Sequence, residues 1–273
     1  MSIPRYVGAA LAGAAAVRAA RKAGDVGRQN SPFRRYWERH LQATLADLAR
    51  RRLAGEELPL VYVALGDSAA QGLGAHRLAD GYVPRFAAAL EEMSGREVAL
   101  LNISLSGGTV QSVLGTQLPQ LAGLRVGGEP LRPDVVTLDI GGNDVGQAWM
   151  TREGFAAQFD AVAQALPSGS FIMNVPSFGL LKAEHKAATF SMIVDRAGRA
   201  AGHHVIDIRR RSQDMPLWQY MVRYHAADLF HPNSPWYAVW AQEFADAAAA
   251  AYGWHSVDVD DIGPWRGPIS TDL

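Results

Sequence analysis

The chain has 273 residues, 48% hydrophobic and 19% charged, the composition of a globular protein with a full core and not of a disordered chain. A formal net charge of -1 leaves no basic excess to hold a phosphate backbone, so nucleic acid is excluded as an expected partner. Cysteine is absent, which excludes disulfide scaffolds, thiolate metal sites and cysteine nucleophiles but leaves the compartment open.

The first element is Tyr6 to Val17, apolar, rich in Ala and Gly, and followed by Arg18, Arg21 and Lys22. About twelve residues of helix rise about 18 Å against a hydrocarbon core of about 30 Å, too little to span a membrane. Only Arg5 precedes the run, whereas a secretory signal carries its positive charge in front. A surface-packed helix is the first reading, a membrane-surface anchor the second and an atypical export signal the third. The expected location is the cytoplasm, with membrane association and export left open. Ser31-Pro32 opens a second stretch, in which Phe33, Trp37, Leu41, Leu45 and Leu48 recur at the spacing of a helix with one buried face. Gly55 to Pro59 reads as a linker, which closes a helical extension over residues 1–59.

From Leu60 the pattern changes, and residues 60–252 read as the main domain. Leu60 to Leu65, Val98 to Ile103, Asp134 to Ile140, Ser170 to Val175 and His204 to Ile208 are strand candidates, apolar on both faces as a covered parallel sheet requires. Helices are expected at Tyr82 to Met93, Val110 to Leu124, Arg152 to Leu166, Glu184 to Ala201 and Ser234 to Tyr252. Ser234 is the expected N-cap of the last, with Pro235 at its first position. Alternating strands and helices imply right-handed crossovers and a doubly wound α/β sheet. Residues 253–273 are a tail, irregular and on the surface from Asp258 onward.

In such a fold ligands sit beyond the carboxyl ends of the strands. The first strand runs into Gly66-Asp67-Ser68, the second into Ser104-Leu105-Ser106-Gly107-Gly108-Thr109, and the third into Gly141-Gly142-Asn143-Asp144. Asp228-Leu229-Phe230-His231-Pro232 precedes the last helix. A serine hydroxyl is a weak nucleophile until a neighbouring imidazole takes its proton, and Ser68 and His231 are the pair that fits. Asp228, three residues before His231, can fix the tautomer and stabilise the imidazolium. Acyl transfer also needs donors at the developing oxyanion, and the N–H groups of Ser68 and Gly107 with the Asn143 amide are the candidates.

Together these four blocks resemble the SGNH, or GDSL-type, hydrolase family over roughly Leu60 to Tyr252. The matching residues are Gly66-Asp67-Ser68, Asn102 through Gly107 to Thr109, Gly141-Gly142-Asn143-Asp144 and Asp228-x-x-His231-Pro232. The resemblance implies a three-layer α/β/α sandwich on a flavodoxin-like parallel sheet. It also implies a Ser68-His231-Asp228 arrangement, an oxyanion hole completed by a Gly and an Asn, and no metal or other cofactor. Ala69 stands where the family's name-giving motif has Leu. Gly107 is assigned by its distance from Asn102, with Gly108 as the alternative. The segment up to Pro59 lies outside the resemblance, and deletion of residues 1–30 is expected to leave hydrolysis of a small ester nearly intact.

Other features read as structural first. His203-His204 opens a strand, so its two rings point apart. His225 is a weaker base candidate than His231. Asp67 organises the turn under Ser68, and Asp144 its own loop. Trp236 and Trp240 read as core, while Trp218, Tyr220, Met221 and Tyr224 are candidates for a pocket wall. The expected reaction is cleavage of a small carboxylic ester through an acyl-enzyme. Longer acyl chains (a lysophospholipase or thioesterase) and a non-catalytic ligand-binding relative are the rivals. The expected partner is a small-molecule ester, with weak membrane-surface contact through the N-terminal segment.

Overall fold

The computed structural model of the protein describes residues 5–271, and side chains from Gly24 onward. Five parallel strands form one sheet: β1 (Leu60–Gly66), β2 (Val98–Asn102), β3 (Val135–Asp139), β4 (Phe171–Met173) and β5 (His204–Ile206), in the spatial order β2-β1-β3-β4-β5. Each lies within a segment expected from sequence, with only Gly66 added beyond the first. Every residue of β1, β2 and β3 is buried, which is why these strands read as continuous apolar runs. Alternation along β1 divides the core: Leu60, Tyr62 and Ala64 face one layer, Val61, Val63 and Leu65 the other.

Nine helices are described: α1 (Arg5–Ala54), α2 (Tyr82–Ser94), α3 (Val110–Ser112, π-helical Val113–Gln117, then Leu118–Gly123), α4 (Gly142–Gly146), α5 (Arg152–Ala165), α6 (Glu184–Ala200), α7 (Ile208–Gln213), α8 (Leu217–Arg223) and α9 (Ser234–Tyr252). Helices α2 and α9 cover one face of the sheet, and α3, α5 and α6 the other. This is the three-layer α/β/α sandwich, with the flavodoxin-like order 2-1-3-4-5. A two-stranded antiparallel hairpin, Arg125–Val126 with Glu129–Pro130, follows α3.

The N-terminal segment departs from expectation. Ser31-Pro32 does not divide two helices, because α1 runs unbroken through Pro32. A proline inside a helix costs about 3 kcal/mol. Docking offsets this: Phe33, Tyr36, Trp37, Leu41 and Leu48 are all buried, and each such side chain contributes roughly 1.5–3 kcal/mol. Helix α1 packs against β2, the edge strand, and contributes to the cores on both faces of the sheet. It therefore closes an edge that would otherwise offer unpaired backbone groups. The roles expected of Tyr6 to Val17 concern side chains outside the described ones. Among the described residues no helix is long and apolar enough to cross a membrane.

Two further expectations are corrected. The N-cap of α9 is Asn233, whose side chain accepts the Trp236 N–H. Ser234 is displaced from that role because its Oγ accepts the His76 N–H at 2.8 Å. The tail is irregular, but it is not a surface layer: Val259 and Trp265 are buried in the core beneath it, where the Trp265 ring meets His40 of α1 edge-on at 5.2 Å.

Candidate active site

The site begins where β1 ends. Gly66 has φ +147°, and a Cβ there would lie 2.5 Å from the Asp139 carbonyl oxygen, so only glycine lets β1 pass β3 this closely. Gln117, fully buried at the end of the π-helical turn, grips the same residue: its Oε1 accepts the Gly66 N–H at 2.8 Å and its Nε2 donates to the Gly66 carbonyl at 2.8 Å. Asn102 at the end of β2 donates to the Ala70 carbonyl at 2.7 Å and accepts the Ser104 N–H at 3.1 Å. These side-chain amides hold the turn carrying Ser68 against the second strand-end block.

Ser68, His231 and Asp228 come together although 163 residues separate the first two. His231 Nε2 stands 2.9 Å from Ser68 Oγ, and His231 Nδ1 stands 2.6 Å from Asp228 Oδ2. An ionised Asp228 only accepts, so Nδ1 carries the proton and Nε2 is free to take the proton of Ser68. Burial alone would raise the Asp228 carboxyl. The bond from His231 Nδ1 and the N–H groups of His231 and Phe230, which donate to Oδ1 at 3.0 and 3.1 Å, overcome it and hold Asp228 below the usual carboxylate range. Between acid and base, Leu229 adopts φ +58°. A left-handed non-glycine residue costs on the order of 1–2 kcal/mol, and here it folds the chain so that Asp228 faces both the imidazole and two backbone donors.

The oxyanion candidates stand differently. Among the described residues no hydrogen bond engages the N–H of Ser68 or of Gly107, whereas the Gly108 N–H donates to the Leu105 carbonyl at 2.8 Å. The geometry thus favours Gly107 over Gly108. The Asn143 amide donates to Asp67 Oδ2 at 3.0 Å and to the Gly108 carbonyl at 2.9 Å. Its two hydrogens both have protein acceptors, so a developing oxyanion has to share one of them.

Three further carboxyls, Asp67, Asp139 and Asp144, lie at or near the strand ends around Ser68. Burial pushes Asp67 up to about 6, against the opposing pull of the Ala69 N–H and the neighbouring His231. Asp67 Oδ1 accepts that N–H at 2.9 Å while Oδ2 holds Asn143, so Asp67 organises both the turn and the amide. Asp139, at the end of β3, is raised well above the carboxylate range by burial and then by repulsion from Asp67, which favours its neutral form. Asp144 accepts the N–H of Val110 at the start of α3, and burial raises it to about 6.

Around Ser68 and His231 lies a cavity of about 60 Å³, lined by Asp139, Gly142, Val175, Phe178, Tyr220, Trp236 and Trp240 among others. The two tryptophans are therefore both core and pocket wall. Met221 also lines the pocket, Tyr224 packs against the Trp236 ring, and Trp218 points outward with 72% exposure. His225 lines the cavity but its Nδ1 meets the Tyr220 carbonyl, and no bond joins it to Ser68. His203 is buried, with Nε2 on the Ala163 carbonyl, while the exposed His204 stacks on Phe171. The residues that sequence reading missed are Gln117 and Asp139. Gln117 has only backbone partners 51 positions away, which leaves no local signal, and Asp139 sat inside an apolar strand two residues before the recognised block.

Residues 64–272 match the GDSL-like Lipase/Acylhydrolase family. Among solved structures, the fold resembles the lipase/acylhydrolase from Enterococcus faecalis (16% identity, TM-score 0.54, covering 72% of this chain and 98% of that one). It also resembles TesA (18% identity, TM-score 0.56, 70% and 98%) and Axe2, an acetylxylan esterase from Geobacillus stearothermophilus (16% identity, TM-score 0.52, 68% and 93%). No curated protein matches the sequence. With a family match over most of its length, the chain belongs to the GDSL-like lipase/acylhydrolases, a family of esterase- and lipase-type hydrolases.

Proposed function

We propose that the protein is a serine esterase that cleaves small acyl esters through an acyl-enzyme. The observation that carries this is the continuous chain from Asp228 through His231 to Ser68, at 2.6 and 2.9 Å. Ser68 Oγ attacks the ester carbonyl as His231 Nε2 takes its proton. The tetrahedral oxyanion is held by the Ser68 and Gly107 N–H groups and the Asn143 amide. His231 then gives the proton to the departing alcohol. In the second half it draws a proton from water, which attacks the acyl-enzyme and releases the acid with Ser68 restored.

The size of the cavity supports a small acyl group. An apolar cavity of about 150 Å³ admits benzene, and the space here is about 60 Å³, suited to an acetyl- or propionyl-sized group. A second reading, longer acyl chains, is favoured by the mouth of the pocket. Seven of the eleven large apolar side chains exposed among the described residues are Leu180, Leu181, Leu217, Trp218, Val222, Leu229 and Phe230. They lie on segments that line this cavity or pack beside it, and such clustering marks a binding surface. A panel of esters from acetyl to dodecanoyl tests the choice. The proposal expects kcat/KM to peak at two or three carbons; a peak at eight or more supports the second reading instead.

A further inference from the structure

Helix α1 precedes the family match, which begins at residue 64, and sequence alone offers no link between residues 1–30 and hydrolysis. The structure contains one. Gln29 of α1 accepts the Gly74 N–H at 2.8 Å and donates from Nε2 to the Ala75 carbonyl at 2.8 Å. Two turns along the helix, Trp37 Nε1 donates to the Gln71 carbonyl at 3.1 Å. The segment they hold, 71–75, is short and joins both halves of the catalytic pair. At one end the Leu73 N–H donates to the Ser68 carbonyl at 3.0 Å. At the other, Gly74 has φ +90°, and a Cβ there would lie 2.2 Å from the Pro232 carbonyl oxygen and 2.9 Å from His231 Cβ. Nothing but glycine fits, and the backbone of the loop rests directly against the Cβ of His231 and the carbonyl that follows it.

We propose that Gln29 is a positioning residue: by bracing Gly74 and Ala75 it sets His231 at bonding distance from Ser68, and it makes α1 part of the active site. The proposal rests on the serine-esterase reading. Docking of α1 is already provided by Phe33, Tyr36 and Trp37, all buried, while Gln29 is only half-buried and adds little apolar area. Its amide is instead matched, donor to carbonyl and acceptor to N–H, to Ala75 and Gly74, on the loop that touches His231. A displacement of about 1 Å in a catalytic group can lower a rate on the order of 10²-fold, so loosening this brace by one bonded pair should be felt in kcat.

The test uses the full chain with Gln29→Leu, Gln29→Glu and, as a control on the same helix, the exposed Asn30→Ala. Turnover of a small soluble ester and the rate of Ser68 labelling by a fluorophosphonate are measured alongside the folded fraction by circular dichroism. Gln29→Leu is expected to lower kcat about ten-fold with KM within about two-fold of wild type, to slow labelling by the same factor, and to remain folded. Gln29→Glu keeps the acceptor for Gly74 but sets a carboxylate against the Ala75 carbonyl, so it should lose kcat as well, and it carries the test if Gln29→Leu fails to fold. Asn30→Ala should behave as wild type. Wild-type kcat in either Gln29 variant, or a loss that only tracks the folded fraction, overturns the proposal. A wild-type chain that turns over no ester contradicts the proposed function instead, and the ratio of labelling rates still reads the role of Gln29.

Discussion

At the scale of single residues, the site divides into groups that react and groups that hold them. Asn143→Ala should lower kcat on the order of 10²–10³-fold, the usual effect of losing one oxyanion donor, with little change in KM, because the carbonyl oxygen gains its charge only in the transition state. Steady-state kinetics of the one variant decide it: an unchanged kcat with a raised KM would make Asn143 a loop tie between Asp67 and Gly108. A second outcome concerns acid. Burial raises Asp67 to about 6, and a proton on Oδ2 removes the acceptor that fixes the Asn143 amide. As pH falls, protonation of Asp67 should therefore steepen the drop in kcat/KM. Asp67→Asn should make that acid limb shallower; an equally steep limb in the variant would exclude Asp67. Ser68 and Asn143 stood out in the sequence because each follows small residues just past an apolar run, and Asp228 and His231 because they stand three apart just before the last helix. Leu229 was not, since nothing about a leucine signals a left-handed backbone, and Asp139 was not, because a strand that is apolar on both sides hides one carboxyl.

At the scale of elements, strands and long helices were legible and their junctions were not. Runs of Val, Ile and Leu covered on both faces mark β1 to β3 unambiguously. The short helices α4, α7 and α8 span five to seven residues, too few for a helical period to emerge. The π-helical turn in α3 has its physical counterpart in Gln117, whose amide sits on Gly66 from that turn, a requirement no local pattern in Val110 to Leu124 encodes. The path of α1 through Pro32 was decided by the tertiary contacts of the residues that follow it. One of those contacts gives a pH signature. His40 is fully buried between Tyr36, Trp37 and Trp265, and burial lowers it to about 4. The unfolded chain binds this proton near the ordinary value of about 6.5, so between 6.5 and 4 it is the unfolded state that gains protons and stability falls with pH. Asp67, raised to about 6, acts in the opposite direction over that range, so the contribution of His40 is read from a difference. The loss of Tm between pH 7 and 4.5 should be smaller in His40→Gln than in wild type, whatever their offset at pH 7. Parallel curves would show that His40 does not titrate with unfolding.

At the scale of the whole molecule, a long helix closes the sheet edge at β2, the tail returns to pack Trp265 on that helix, and the ends of β1, β3 and β4 converge on one cavity. The cavity is small and its rim is broad and apolar, and the two make separate demands on a substrate. Trp218, 72% exposed, does not line the cavity at Ser68. Trp218→Ser should leave kcat/KM for an acetyl ester unchanged while weakening any ester whose alcohol or acyl half extends over the rim; equal losses on short and long esters would mean that the rim shapes the site itself. All of this presupposes that Ser68 is an activated nucleophile, and one measurement addresses that directly: reaction of the intact protein with a fluorophosphonate, with the adduct located by peptide mass spectrometry. The account predicts a single adduct on Ser68, formed rapidly in wild type, absent in Ser68→Ala and strongly slowed in His231→Ala. An unlabelled wild-type protein, an adduct on another serine, or labelling of Ser68 that does not depend on His231 would contradict it.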